Sequence, residues 1–139
     1  MASKTKEERL KALDLFRAAD DEAIRHLASA ADEVSVDAGR TLIRQNHNHN
    51  EIYVLESGTA SVEINGEVVA EIPAGELVGE LGFFVNSTAS ATVKSNTPAE
   101  LLIIPYNRFD QILNDNPALV RDIARELAER LYAMDDKLN

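Results

Sequence analysis

The chain has 139 residues, with 14 basic against 24 acidic side chains, a formal charge of -10, no cysteine and no tryptophan. The length suits a single core, an apolar fraction of 45% is too high for a disordered chain, and the lack of cysteine excludes disulfides, thiolate catalysis and cysteine-ligated metals. The surplus of acid argues against nucleic acid and anionic membrane surfaces as direct partners, since both are bound through clustered Lys and Arg.

Residues 1–32 read as helical. Residues 1–10 are polar and charged, without an apolar secretion segment, so the cytoplasm is the expected location. Leu10, Leu13 and Phe16, then Ile24, Leu27 and Ala31, recur at three- and four-residue steps. Asp20-Asp21-Glu22 interrupts the run and offers an N-cap with first-turn acids, so two short helices are expected, the second over 21–31. His26, beside Leu27, is expected at the surface or its boundary.

Residues 33–105 change period. Val34/Val36, Ile52/Val54 and Val62/Ile64 alternate in twos, and glycines and prolines punctuate the segment throughout. Asn65-Gly66 is the strongest hairpin signal, because a primed turn needs positive φ at both central positions. Many short, evenly spaced strands predict a small sandwich or barrel. Gly79–Phe84 breaks the alternation as a short helical turn.

From Gln45 to Val93 there is no Lys or Arg, while seven glutamates (51, 56, 63, 67, 71, 76 and 80) lie in that interval. Whatever this stretch binds, it binds without a local cation.

Residues 106–139 return to helix. Tyr106 or Asn107 opens a short helix over Arg108–Leu113, and Asp115-Asn116-Pro117 restarts the chain with proline at a first helical position. Leu119, Ile123, Leu127, Leu131, Met134 and Leu138 then form a stripe about 30 Å long at 1.5 Å per residue. That exceeds what one face of a small roll requires, so its far end is expected to meet a second copy in a coiled-coil-like contact, giving a homodimer. No internal repeat and no run of the roughly 18–20 apolar residues needed to span a membrane is present. The expected architecture is α+β in one domain, an antiparallel jelly-roll-like β-roll flanked by N-terminal helices and a C-terminal helix pair.

Several ordered segments resemble the cyclic-nucleotide-binding domain of the catabolite-activator and kinase-regulatory type. Residues 37–44 resemble its second strand with the preceding glycine turn, and Ile52–Gly58 the next strand with its terminal glycine. Gly75-Glu76-Leu77-Val78-Gly79-Glu80-Leu81-Gly82-Phe83-Phe84 is similar to the start of the phosphate-binding cassette, which runs over residues 75–93, and Ala91-Thr92-Val93 to its exit strand. The resemblance implies ligand contacts from Gly79, Glu80, Leu81 and Gly82 at the start of the cassette and from Ala89, Ser90 and Thr92 at its end. It gives Glu80 the role of accepting the ribose 2′-hydroxyl and the short helix that of offering N–H groups to the cyclic phosphate.

The family's phosphate-binding arginine falls on Ala89, counting back from Ala91-Thr92-Val93; neither Thr88 nor Ser90 is cationic, and the next cation is Lys94. Cyclic AMP and GMP binding is therefore expected to be weak or lost. His47-Asn48-His49 would place two imidazoles on one face of an extended strand, as a metal site does. Its asparagine-rich setting suits a left-handed turn instead, so no metal and no cofactor is expected. The chain ends after the long helix, where activators continue into a helix-turn-helix, and no catalytic motif stands out, so neither DNA reading nor enzymatic activity is expected. Two roles stay open: a regulatory sensor of a small molecule other than an ordinary cyclic nucleotide, with an open polar pocket, or a degenerate dimerising or docking module whose pocket is plugged by Phe83, Phe84 or Val85.

Overall fold

The computed structural model of the protein describes residues 4–85 and 88–138, apart from the side chains of residues 81, 130 and 133–138. Its contacts divide into a β unit, Ala30–Phe109, and a helical unit made from the segments up to Ser29 and from Asp110.

In the helical unit, α1 (Lys6–Lys11) starts at a capping box. The Thr5 hydroxyl accepts the Glu8 N–H at 3.1 Å, and the Glu8 carboxylate accepts the Thr5 N–H at 3.2 Å. The helix stops at Lys11 instead of running to Phe16 as the stripe suggested. A 3₁₀ turn over Asp14–Phe16 follows. This break lets Leu15, which lies off the Leu10–Leu13–Phe16 stripe, be buried beside Phe16, while Leu13 is only half-buried. Asp20 accepts the Ala23 N–H at 2.8 Å and opens α2 (Asp21–Ala30), as its position before the acidic run implied.

The β unit contains eight strands in two four-stranded antiparallel sheets. The strands are β1 (Asp32–Val36), β2 (Thr41–Ile43), β3 (Glu51–Ser57), β4 (Ala60–Ile64), β5 (Glu67–Ile72), β6 (Leu77–Val78), β7 (Thr92–Ser95) and β8 (Ala99–Pro105). One sheet has the order β1-β8-β3-β6 and the other β2-β7-β4-β5. The predicted β-roll is thus present. Asn65 (φ 53°) and Gly66 (φ 84°) make the β4–β5 turn, both in the left-handed region that a two-residue hairpin requires. Inward residues of both sheets, among them Ile43, Leu55, Val93 and Leu101, share one apolar cluster, and the Tyr53 hydroxyl on β3 donates to the Leu42 carbonyl on β2 at 3.1 Å, tying the sheets together. Between β6 and β7 lies the short helix α3 (Glu80–Val85).

Two further helices close the chain, α4 (Tyr106–Asp115) and α5 (Pro117–Leu138). Between them, the buried Asn116 side-chain amide donates to the Ile112 carbonyl at 2.8 Å, and Pro117 takes the first helical position. Within the helical unit α5 packs on the 3₁₀ turn. Along its stripe Leu119 and Ile123 are fully buried in this same chain, Leu127 is half-buried and Leu131 is 68% exposed. The first half of the stripe therefore serves the fold and leaves no apolar surface for a second copy. The side chains of Met134 and Leu138 lie outside the described residues.

Candidate functional site

The β unit encloses an open cavity of about 370 Å³ against the start and end of the 75–93 segment, within the size range of small-ligand sites. Gly79, Glu80 and Gly82, from the start of the segment, border it, as do Thr88, Ala89 and Ser90 from its end. Its remaining walls are largely apolar, including Ile43, Val62, Ile72, Leu77, Val78 and Val85. Among the described residues, no lysine or arginine lines it. Lys94, the first cation after the cation-free interval, is instead paired with Glu63 across β7 and β4 at 3.3 Å.

Five of the seven sequence-predicted contact residues therefore meet at one cavity: Gly79, Glu80, Gly82, Ala89 and Ser90. Thr92 does not. Alternation along the exit strand turns Ala91 and Val93 to the cavity and Thr92 the other way. There its hydroxyl accepts the Gln45 N–H at 3.0 Å. The Leu81 side chain and the whole of Ser87, part of the hydroxyl run before β7, lie outside the described residues. Phe83 does not fill the cavity either. Its ring packs edge-on against Tyr106 and Phe109, with centroids 5.3 and 5.1 Å away. Phe84 is 44% exposed, and Val85 lines the cavity while remaining mostly exposed.

Two polar residues at the site were not apparent from the sequence. His47 and His49 do not share the face of a strand; they lie in a loop that turns at Asn46 (φ 69°), with His47 exposed and His49 directed inward. His49 borders the cavity, and its Nδ1 is 3.0 Å from the Tyr106 hydroxyl. The Tyr106 hydroxyl donates to the Gly79 carbonyl at 2.6 Å. Backbone bonds hold the loop to the end of the cassette: the Asn46 N–H donates to the Ala89 carbonyl at 2.8 Å, and the Ala89 N–H to the His47 carbonyl at 3.0 Å. An added Cβ at Gly82 would stand 2.9 Å from both His49 Nε2 and the Tyr106 oxygen, so a side chain there would have to push this pair aside.

Burial, and then the Glu80 carboxylate, push the Tyr106 phenol up to about 12. A folded-state value above the unfolded one favours the protonated state. This contribution to stability is whole below about pH 10 and is lost as pH rises to about 12. In an alkaline ultraviolet titration, one tyrosine is expected to ionise near 12 in the native protein, and Tyr106→Phe should remove that step. Its persistence in the variant would assign it elsewhere.

A model of the cyclic nucleotide-binding domain matches residues 33–116. The chain belongs to the cyclic nucleotide-binding domain family. The cAMP-activated global transcriptional regulator CRP of Salmonella typhimurium is 29% identical over 104 residues, covering 70% of this chain and 50% of the regulator. The chain thus spans about half the length of that curated relative. Among solved structures, the catabolite activator protein of Thermus thermophilus superposes with a TM-score of 0.76 at 22% identity, over 90% of this chain and 61% of that one. The sensor domain of the transcriptional regulator DNR from Pseudomonas aeruginosa superposes with a TM-score of 0.75 at 20% identity, over 94% and 91%. These likenesses fix the cyclic nucleotide-binding fold. Among the described residues, no helix is long and apolar enough to cross a membrane.

Proposed function

We propose that this chain is a non-enzymatic sensor domain whose cassette cavity binds a small regulatory molecule and takes cyclic AMP or GMP weakly or not at all. The observation that carries this reading is an open cavity bordered by the cassette, with Ala89 where the family resemblance places an arginine. A charge-assisted hydrogen bond contributes about 1.5–3 kcal/mol, and a buried charge without its partner costs about 3–5 kcal/mol. At about 1.4 kcal/mol per tenfold, a cyclic phosphate here loses roughly ten- to a few-thousand-fold in affinity. The Glu80 carboxylate, which also borders the cavity, adds repulsion. Calorimetry with cyclic AMP and cyclic GMP at neutral pH is expected to show no dissociation constant in the low-micromolar range; one in that range overturns the reading. The cavity's openness, with Phe83 packed aside, favours a ligand over a purely docking role.

Ligand contact at Gly79–Gly82 would move α3. The bond from Tyr106 to the Gly79 carbonyl carries that movement to the first residue of α4, a small displacement of the kind that switching proteins amplify. The partner that reads it is a protein or a further domain. Homodimerisation through the end of α5 belongs to this proposal, on the exposure of Leu131 and Tyr132. Leu131→Glu is expected to convert a dimer to monomer in native mass spectrometry while changing the unfolding free energy by less than about 0.5 kcal/mol. An unchanged mass distribution would remove the α5 contact from the proposal.

A further inference from the structure

We propose that His49 selects the ligand, its Nε2 accepting a hydrogen bond from an N–H or O–H group of an uncharged molecule with a largely apolar body. The inference rests on the ligand-binding reading above and adds the chemical class of what binds.

The assignment follows from one proton. The Tyr106 hydroxyl has a single hydrogen, and it is directed to the Gly79 carbonyl at 2.6 Å, since a carbonyl can only accept. The 3.0 Å contact between the same hydroxyl and His49 must then be a donation from Nδ1–H into the tyrosine oxygen. In a neutral imidazole this leaves a lone pair on Nε2. That atom faces α3 beside Gly82, and His49 and Gly82 both border the cavity. Glu80, also on the cavity wall, is an acceptor as well.

The cavity thus offers acceptors set against aliphatic walls, in an interval of sequence with no Lys or Arg. An anion meets a lone pair and a carboxylate there. A neutral molecule with N–H or O–H donors meets complementary groups, and its apolar body replaces water on Val62, Ile72 and Val85, apolar lining residues that are not fully buried. A volume of about 370 Å³ suits a compact ligand of this class.

Three probes of related size separate the chemistries: adenosine (neutral, with donors), caffeine (neutral, with no N–H or O–H) and cyclic AMP (anionic). In calorimetry on the whole chain, adenosine is expected to bind about tenfold more tightly than caffeine, the worth of one hydrogen bond to a partly buried acceptor. His49→Phe should abolish that margin, and a proton–nitrogen correlation spectrum should show the His49 Nε2 resonance moving on addition of adenosine. Tyr106→Phe, which frees the imidazole tautomer, should narrow the margin without filling the cavity. If His49→Phe does not fold, the wild-type spectrum decides by itself. Caffeine binding as tightly as adenosine, an unmoved Nε2 resonance, or a margin that survives in His49→Phe would overturn the role of His49 while leaving a ligand-binding cavity in place. Cyclic AMP binding in the low-micromolar range would overturn the weak-nucleotide reading instead, and no binding by any probe would overturn the role of His49 while leaving the weak-nucleotide reading in place.

Discussion

Substituting Ala89 by arginine is expected to lower the stability of the ligand-free protein and to create a cyclic AMP response that the parent lacks. Ala89 is 8% exposed and belongs to the same apolar cluster as Val78 and Val93. It also borders the cavity, so a longer side chain at this position has space to enter. A guanidinium placed there without an anion stands among aliphatic walls, and an uncompensated buried charge costs about 3–5 kcal/mol. Partial escape to solvent and pairing with Glu80 reduce that, so a loss of about 1–3 kcal/mol is the expected net effect. At about 3–4 °C per kcal/mol for a domain of this length, the melting temperature should fall visibly. A cyclic phosphate would then supply the missing partner, and ligand saturation should return the lost stability in proportion to the logarithm of its concentration. Thermal shift of parent and variant, each with and without cyclic AMP, reads both effects together. Equal responses in the two proteins would show that the absence of arginine is not what limits the parent.

The same residues show how far the sequence reaches. Two-residue alternation, the Asn65-Gly66 turn and Pro117 are local signals, and each is found where the residues placed it, because each reflects a backbone requirement met within a few positions. Glu80 and Ala89 come together at the cavity because the order of segments carries the cassette with it. His49 was not legible in this way. Its inward turn depends on Asn46 taking positive φ and on backbone bonds to Ala89, a residue far away in the chain. Tyr106 was read only as a helix opener, and its hydroxyl finds Gly79 through tertiary packing alone. Thr92 was grouped with its hydroxyl neighbours, although strand alternation could have separated it from Ala91 and Val93. The α5 stripe shows the same limit, since periodicity names an apolar face without saying whether its own chain or another covers it. Here Leu119 and Ile123 are buried within their own chain and Leu131 is left exposed.

Gly79→Ala is expected to be the most disruptive single-methyl change in the cassette, destabilising the protein by about 2–4 kcal/mol. Two causes combine. Gly79 has φ of +93°, which costs an L-residue about 1–3 kcal/mol. Its new Cβ would also stand 3.0 Å from the Glu51 carbonyl, 3.2 Å from His49 Cε1 and 3.3 Å from Ile43 Cδ1. The carbonyl belongs to β3 and yields little, so the adjustment falls on His49, Ile43 and Gly79 itself, whose carbonyl receives the Tyr106 hydroxyl. Gly75 separates the two causes. Its φ is +98°, close to that of Gly79, but a Cβ there meets nothing within 4 Å. Gly75→Ala should therefore show the backbone cost alone, and the excess in Gly79→Ala, about 1–2 kcal/mol, measures the contact with the histidine loop. Chemical denaturation of both variants provides the comparison. The Tyr106 ionisation provides a second readout, since loosening the bond to Gly79 and admitting water should bring it down from about 12 in Gly79→Ala and leave it in place in Gly75→Ala. Equal destabilisation of the two variants, with Tyr106 unmoved in both, would mean that Gly79 is required for its backbone conformation alone and that the close approach of His49 is incidental.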